Sequence, residues 1–283
     1  MLILQEQNKK SRNKRNESSK LSLPCLKNEN MYNLIPLNIF QTWHTLDLPS
    51  KMKENVELLK DTNPEFKHYL YNDNMCREFI KENYDNEILY TFDKLKPGAY
   101  KADFWRYCIL YKKGGIYLDI KYKCANGFKF ITLTDKEYWV KDRPQIINGI
   151  YQALMVSFPF NKRIYKAIRD VVKNVKYNLY SELTPLCVTG PGLLGPYFNP
   201  IEFNRLELEN IGDIITLNGV QILTYYKEYR DEQNKSRGNE LYYDTMWWKL
   251  NIYHFKILES IKTTELTNNI VKKINNTDIS LYS

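Results

Sequence analysis

The chain has 283 residues, of which 43% are hydrophobic and 26% charged, and its formal net charge is +8 at pH 7. These values are typical of a soluble globular protein with an ample core. No apolar run approaches the roughly 20 residues that span a bilayer, and the apolar start is too short for a signal peptide. The five cysteines are widely spaced without a C-x-x-C pair, which indicates neither a disulfide framework nor a zinc site. We therefore expect a cytoplasmic protein.

Much of the positive charge lies near the start of the chain. Residues 8–20 hold six basic side chains and one acidic one, without apolar periodicity. Such a segment is typical of a solvated, disordered tail. We predict a basic tail over residues 1–30 and a single domain over residues 31–283. A contact of the tail with nucleic acid or a membrane is the less favoured alternative, and nucleic acid is not an expected partner.

The next part of the chain alternates between strand and helix patterns. A strand over residues 35–43 precedes a helix that Ser50 is expected to cap, running to Lys60. A second strand over 66–71 precedes a helix over 72–83. Because strands and helices of these lengths alternate, we expect an α/β fold with a largely parallel sheet.

Residues 103 to 121 form the most informative segment. Asp103 and Arg106 are spaced i, i+3 in a helix that is apolar nearly all round, which predicts a buried ion pair. Gly114 begins a sharp turn, and a short apolar strand then ends at Asp119. Ligands bind at the carboxyl ends of strands in open α/β sheets, so we predict a site here.

The remaining elements have clear local signals and show no internal repeat. They are an Asn-Gly turn at 148–149 as a hairpin or strand end, a helix over 161–176, a Gly-Pro turn at 189–196 that enters a short helix, a strand over 220–226, a polar loop to about residue 240 and an aromatic cluster over 242–248.

Six groups of residues, taken together, carry a family resemblance. They are Ile35-Pro36 with Gln41-Thr42-Trp43, Asn63-Pro64 with Tyr71-Asn72-Asp73, Ala102-Asp103 with Arg106, Gly114 to Asp119, Asn148-Gly149, and Thr189 to Gly192. The chain resembles the glycosyltransferases of family 32, which include yeast initiating mannosyltransferases and bacterial and viral sugar transferases. It is more distantly similar to the clostridial glucosylating toxins. The resemblance implies a GT-A, Rossmann-like fold, a nucleotide-sugar donor, and retaining transfer of a hexose to a glycan or protein hydroxyl.

The resemblance also assigns roles to individual residues. Trp43 matches the position that stacks on the donor base, with a half-buried core tryptophan as the alternative. Asp103 and Arg106 match positions that contact ribose, sugar hydroxyls and phosphate, with a structural ion pair as the alternative. Asp119 matches the first aspartate of the Asp-x-Asp motif.

The chain departs from the family motif two residues later, where Lys121 replaces the second, metal-binding aspartate. In one hypothesis, Mn²⁺ or Mg²⁺ is still bound by Asp119, the donor phosphates and a later carboxylate such as Asp244. In a second, Lys121 or Lys123 supplies a fixed cation to the diphosphate, because an ammonium cannot act as an oxygen ligand. In a third, Lys121 faces solvent and the protein is weak or inactive. On the sequence alone, we favour the metal hypothesis.

Other residues and ligands have weaker signals. Trp247 or Trp248 could close over the donor, or belong to the core. Asn148 and Gln152 are candidates for orienting the acceptor or the sugar. UDP is favoured as the donor nucleotide over GDP, as in GDP-mannose. The alternative function is an inactive nucleotide-sugar-binding or glycan-binding pseudo-enzyme.

Overall fold

A computed structural model describes residues 34–144, 148–181, 183–238 and 241–254. The predicted basic tail over residues 1–30 lies outside these residues, and both it and the single domain over 31–283 stay predictions. Within the described segments, no helix is long and apolar enough to cross a membrane.

Nine strands of the described residues form one sheet, in the order β2-β1-β3-β6-β5-β7-β8-β9-β4. The strands are β1 (Asn38–Thr42), β2 (Lys67–Tyr71), β3 (Gly115–Leu118), β4 (Tyr122–Cys124), β5 (Tyr138–Lys141), β6 (Ile150–Ser157), β7 (Leu208–Ile211), β8 (Ile214–Leu217) and β9 (Val220–Tyr225).

The α-helices pack around this sheet. They are α1 (Ser50–Thr62), α2 (Asp73–Asn83), α3 (Asn86–Lys94), α4 (Gly98–Lys113), α5 (Lys162–Lys176), α6 (Pro191–Leu194), α7 (Pro200–Asn204), α8 (Tyr229–Arg237) and α9 (Tyr243–Trp248). The predicted α/β class is confirmed, as are the early strands and helices to within a few residues; the GT-A fold that the resemblance implies stays an expectation.

The expectation of a largely parallel sheet is wrong. Only the pairs β1–β2, β1–β3 and β5–β7 are parallel among the described strands, and the other five pairs are antiparallel. Two of these five pairs, β7–β8 and β8–β9, are short hairpins. Asn218 and Gly219 join β8 to β9 with φ angles of 49° and 81°, and an Asn-Gly pair in this region of backbone space makes a tight antiparallel turn.

Helix α4 is buried as its sequence predicted. Its side chains from Phe104 to Leu110 are all buried, and they form the centre of a large hydrophobic cluster with α2, α3, α5 and β3. A buried helix of this length holds its residues in fixed positions, because cores pack as densely as organic crystals. Helix α4 therefore holds Arg106 in a fixed position next to β3.

The turn between α4 and β3 requires glycine. Gly114 caps the helix with φ 61°, and its N–H donates to the Leu110 carbonyl at 2.9 Å. Gly115 has φ 109°, and a Cβ there would lie 2.7 Å from the Asn38 carbonyl oxygen of β1. The close approach of β1 and β3 thus depends on the missing side chain.

Helix α8 occupies the segment that we predicted to be a polar loop, so that prediction is wrong. Its Glu232 carboxylate accepts the backbone N–H groups of Lys51 and Met52, each at 2.9 Å. Unsatisfied N–H groups at a helix start need such an acceptor. The predicted cap by Ser50 is also wrong, because α1 has no local side-chain cap.

Candidate functional site

Four charged side chains meet where β3 ends, and we call Asp103, Arg106, Asp119 and Lys121 the four-charge cluster. Asp103 and Arg106 lie on α4, and Asp119 and Lys121 lie in the turn between β3 and β4. The Asp119 N–H donates to the Ala153 carbonyl of β6 at 2.7 Å. The sheet itself therefore holds this turn in place, as the predicted site at a strand end requires.

Arg106 is the centre of the cluster and its side chain is only 8% exposed. Its Nη2 lies 3.3 Å from Asp103 Oδ1 and 3.5 Å from Asp119 Oδ1. Its Nη1 donates to the Gln152 carbonyl at 2.9 Å, and its guanidinium lies 4.3 Å from the centre of the Tyr117 ring. These contacts fix one cation between two carboxylates.

Asp119 has partners at both of its carboxylate oxygens. Oδ1 accepts the Tyr117 hydroxyl at 2.9 Å and faces Arg106, and Oδ2 lies 2.7 Å from Lys121 Nζ. Burial acts to raise the pKa of the Asp119 carboxyl, but Lys121 and Arg106 together hold that pKa below its ordinary value. Asp119 is therefore an anion at neutral pH.

Asp103 differs from Asp119 in its surroundings. Its Oδ2 accepts the Thr189 hydroxyl at 2.8 Å, and its Oδ1 faces Arg106. Burial raises the pKa of the Asp103 carboxyl above its ordinary value, although Arg106 and Thr189 act against that rise. Thr189 belongs to the Gly-Pro turn that precedes α6, so this turn reaches the cluster.

Lys121 does not face solvent freely, which contradicts the hypothesis of a solvated lysine. Its side chain is 14% exposed, and its Nζ lies 5.2 to 5.6 Å from the ring centres of Tyr122, Tyr151 and Tyr225. Burial acts to lower the pKa of this ammonium, but Asp119 raises it well above its ordinary value. Lys121 therefore carries its charge throughout the neutral range.

Trp43 directly follows β1 and is half-buried. It packs against a hydrophobic cluster that contains Met52, Ile120 and Tyr226, and its buried indole N–H has no hydrogen-bond partner among the described atoms. Ile120 lies between Asp119 and Lys121 in the chain, so Trp43 borders the turn of the four-charge cluster. Its predicted contact with a donor base stays a prediction.

The residues predicted near the end of the described chain are less closely tied to the cluster. Trp247 is buried, and its indole N–H donates to the Tyr180 carbonyl, which is the contact of a core residue. Trp248 is 75% exposed. Asp244 is exposed and accepts the backbone N–H of Thr245 at 2.6 Å. The donor and metal contacts proposed for these residues stay predictions.

The predicted acceptor residues fall into different environments. Asn148 is exposed in the turn between β5 and β6, with φ 54°, and its role stays a prediction. Gln152 is buried, and its side chain donates to the Tyr107 hydroxyl and the Thr189 carbonyl. Its backbone carbonyl accepts from Arg106, and its role in orienting the acceptor or the sugar stays a prediction. Lys123 lines a cavity against α1 beside Asn55.

Sequence reasoning missed several side chains of the site. Tyr117 could have been found, because residues 117 and 119 share one face of an extended segment. The sequence places Thr189 in the Gly-Pro turn and among the residues of the family resemblance, but it does not predict the contact with Asp103. Tyr151 and Tyr225 come from strands distant in the chain, and no local pattern connects them with Lys121.

The residues present do not provide a site for Mn²⁺ or Mg²⁺. Both oxygens of Asp119 already contact cations or a hydroxyl, and Lys121 stands where the family motif has its second carboxylate. Throughout the described ranges, no group of three or more His, Cys, Asp or Glu side chains could hold a metal ion. Hard divalent cations require several oxygen ligands, which Asp119, with Lys121 beside it, does not supply by itself; the metal contact predicted for Asp244 stays a prediction.

Comparison with known proteins identifies the family. A family model described as "Glycosyltransferase sugar-binding region containing DXD motif" matches residues 49–141, a range that contains Asp103, Arg106 and Asp119. Residues 49–141 of the chain therefore carry the sugar-binding region of this glycosyltransferase family. The resemblance drawn from the sequence is thereby confirmed.

Several curated proteins are similar to the chain. A mannosyl phosphorylinositol ceramide synthase of Saccharomyces cerevisiae is 31% identical over 194 residues, covering 69% of this chain and 48% of that protein. An inositol phosphoceramide mannosyltransferase of Schizosaccharomyces pombe is 30% identical, covering 60% and 49%. An uncharacterized glycosyltransferase of Acanthamoeba polyphaga mimivirus is 39% identical, covering 33% and 38%.

The chain spans about half the length of the two yeast relatives. Among solved structures, the glycosyltransferase PaToxG is similar with a TM-score of 0.46 and 16% identity, covering 58% of this chain and 69% of that one.

Proposed function

We propose that the protein is a retaining glycosyltransferase that moves a hexose from a nucleotide-sugar donor to a hydroxyl of a glycan or protein acceptor. The observation that carries the proposal is the four-charge cluster at the end of β3, within the region that matches the family. Two cations and two carboxylates at one strand end suit a ligand that has both a diphosphate and sugar hydroxyls. Retention rests on the family resemblance.

The chemistry follows from the charges. In the transfer, the bond between the anomeric carbon and the donor phosphate oxygen breaks, and the acceptor hydroxyl oxygen bonds to that carbon. The acceptor proton passes to the departing phosphate. Negative charge grows on the diphosphate, and the positive charges of Arg106 and Lys121 stabilise it. Asp119 lies beside both cations, and its negative charge would stabilise the positive charge of an oxocarbenium-like sugar.

The binding roles divide among the remaining residues. Asp103, held by Arg106 and Thr189, is placed to accept hydrogen bonds from ribose or sugar hydroxyls. Trp43 borders the same turn and offers an indole face to the base. Stacking of a base on an aromatic ring is worth about 1–3 kcal/mol.

We extend the proposal to mannose as the transferred hexose. The support is that the two yeast relatives are named as a mannosyl-transferring synthase and a mannosyltransferase. Their names also contain phosphorylinositol ceramide and inositol phosphoceramide, respectively. We therefore add an inositol-containing lipid to the glycans and proteins to be tested as acceptors. UDP was the nucleotide favoured from the sequence, and GDP is the other donor nucleotide to test.

A donor screen tests the function. Nucleotide release would be measured with UDP-glucose, UDP-galactose, UDP-GlcNAc and GDP-mannose, for the unchanged protein and for Asp119→Asn. The exposed Asp61 of α1 provides a matched control, Asp61→Asn. We expect release from at least one donor, and a loss of about 10²–10³-fold in kcat for Asp119→Asn, the scale for removing one electrostatic contact to a reacting group.

The outcomes separate the alternatives. Binding of a donor without release in the presence of any acceptor would support the pseudo-enzyme. If none of the four donors releases its nucleotide or stabilises the folded protein against unfolding, the proposal is contradicted, because a specific ligand must stabilise the folded state. The relatives named above favour the enzyme. The cytoplasmic location expected from the sequence stays a separate proposal.

A further inference from the structure

The ammonium of Lys121 is held by the protein in a way that is unusual for a lysine. Its Nζ lies 2.7 Å from Asp119 Oδ2, and three tyrosine rings surround it with centres at 5.2 to 5.6 Å. Aromatic faces attract cations. The Tyr122 hydroxyl donates to that of Tyr151 at 3.2 Å, and the hydroxyls of Tyr151 and Tyr225 lie 3.3 Å apart. This network makes one wall of the ammonium site.

The backbone around Lys121 is fixed from two further parts of the chain. The Asn55 side chain of α1 donates to the carbonyls of Ile120 and Tyr122, at 3.1 and 2.9 Å. The Tyr226 N–H donates to the Lys121 carbonyl at 3.1 Å. The position of the positive charge is thus determined by α1, by the β3–β4 turn and by the residue after β9.

The two cations of the cluster differ in how many donors they have left. Arg106 is committed to Asp103, Asp119 and the Gln152 carbonyl. Lys121 has three N–H donors, and among the described residues Asp119 is the only carboxylate that forms a salt bridge with it. Lys121 therefore retains donors for a further anionic group, and it lies next to the carboxylate that begins the family motif.

A divalent cation at Asp119 would conflict with this arrangement. It would have to displace the ammonium from Oδ2 and would then lie close to a second positive charge in a partly buried site, where like charges repel strongly. A donor diphosphate, which carries several negative charges, has the opposite effect and is attracted by the same ammonium.

We propose that Lys121 replaces the divalent metal of the family motif as a built-in cation for the donor diphosphate, so that donor binding and transfer proceed without metal. The inference rests on the proposed function, since it assigns the charge that the departing diphosphate meets. It also reverses the preference for metal that the sequence suggested.

The test measures the binding of UDP and of GDP by calorimetry, in EDTA and in excess Mn²⁺, followed by donor turnover under both conditions. The variants are Lys121→Met, which keeps the apolar stem, and Lys121→Asp, which restores the spacing of two aspartates. Lys123→Met is the matched control, because Lys123 lines the cavity against α1. Circular dichroism verifies that each variant is folded.

The inference predicts that the unchanged protein and Lys123→Met bind a nucleoside diphosphate equally well in EDTA and in Mn²⁺, within about twofold. Lys121→Met should bind at least about tenfold more weakly in both, the effect of losing one charge-assisted contact to phosphate. Lys121→Asp should bind weakly in EDTA and recover in Mn²⁺.

Two different results would overturn the inference. Binding that requires Mn²⁺ in the unchanged protein would refute the built-in cation and leave the glycosyltransferase proposal intact. Unchanged affinity in Lys121→Met would have the same consequence, and if Lys121→Met fails to fold, the comparison of EDTA with Mn²⁺ in the unchanged protein still decides. If neither nucleotide nor any donor binds in either buffer, the proposed function itself fails, and the inference fails with it.

Discussion

Replacing Arg106 with methionine should strongly lower the free energy of unfolding. Most of this loss should come from the Asp103 carboxylate, because it retains fewer partners than Asp119 does. Asp119 would retain the Lys121 ammonium at 2.7 Å and the Tyr117 hydroxyl. Asp103 would retain the Thr189 hydroxyl as its partner. Removing one member of a buried ion pair typically costs about 3–5 kcal/mol, because the remaining charge stays buried without compensation.

The pH dependence of this loss has a definite sign. Burial already raises the pKa of Asp103, and Arg106 opposes that rise, so removing Arg106 should raise the folded-state pKa further. A carboxyl group whose pKa is higher in the folded than in the unfolded state lowers the free energy of unfolding as the pH rises towards and through the folded-state pKa. The loss in Arg106→Met, relative to the unchanged protein at the same pH, should therefore shrink between pH 7.5 and pH 5.5.

Urea unfolding at both pH values checks the reasoning. Arg106→Met should lose about 3–5 kcal/mol at pH 7.5, and the double variant with Asp103→Asn should recover a large part of it. Arg77→Met is the control, since Arg77 pairs with Asp93 at the surface and such pairs are worth about 0–1 kcal/mol. A loss below about 1 kcal/mol for Arg106→Met, or no recovery in the double variant, would refute the account of the cluster.

Three further predictions concern the turn, the base and a buried histidine. Gly115→Ala should lose at least about 2 kcal/mol in urea unfolding, because the new Cβ would meet a backbone carbonyl in a strained conformation. Gly127→Ala should lose clearly less, since it also has positive φ but open space around it, and equal losses would contradict the role of the close approach. Trp43→Ala should weaken the binding of the preferred nucleotide by about 1–3 kcal/mol in calorimetry, and an unchanged affinity would exclude stacking. Burial lowers the pKa of His68 to about 4, so stability should be complete above the unfolded pKa of about 6.5 and decline by about 2 kcal/mol as the pH falls to 5. The variant His68→Asn should remove that decline, and a wild-type profile that stays flat from pH 8 to 5 would count against the burial.

The central part of the site could be predicted because its signals are local. The i, i+3 spacing of Asp103 and Arg106 and the strand end at Asp119 lie within one helix–turn–strand unit, whose geometry short-range sterics determine. The contact of Lys121 with Asp119 likewise joins residues two positions apart. The structure adds that both lie in one turn, with Lys121 turned back towards the carboxylate.

The rest of the site depends on contacts between distant parts of the chain. Thr189 is 86 residues from Asp103, and the carbonyl of Gln152 that holds Arg106 is 46 residues away. The Asn218-Gly219 turn is a local signal for the β8–β9 hairpin, but the antiparallel pairs β3–β6 and β4–β9 join strands that are distant in the chain, so no local pattern gives their direction. Helix α8 was missed because it is polar almost all round, so it has no apolar periodicity, and its position rests on the contact of Glu232 with α1.

The pairing of β4 with β9 and the cap that Glu232 places on α1 have a consequence for the order of assembly. The cap joins residues 181 positions apart, and the wall of Tyr225 beside Lys121 comes from the same late segment. Contacts of such long sequence separation form slowly, because the chain entropy must be lost before they stabilise anything. During synthesis, the tyrosine wall beside Lys121 and the cap on α1 would thus stay incomplete until residue 232 has left the ribosome. Until then, β4 and the start of α1 would be exposed to chaperones and proteases.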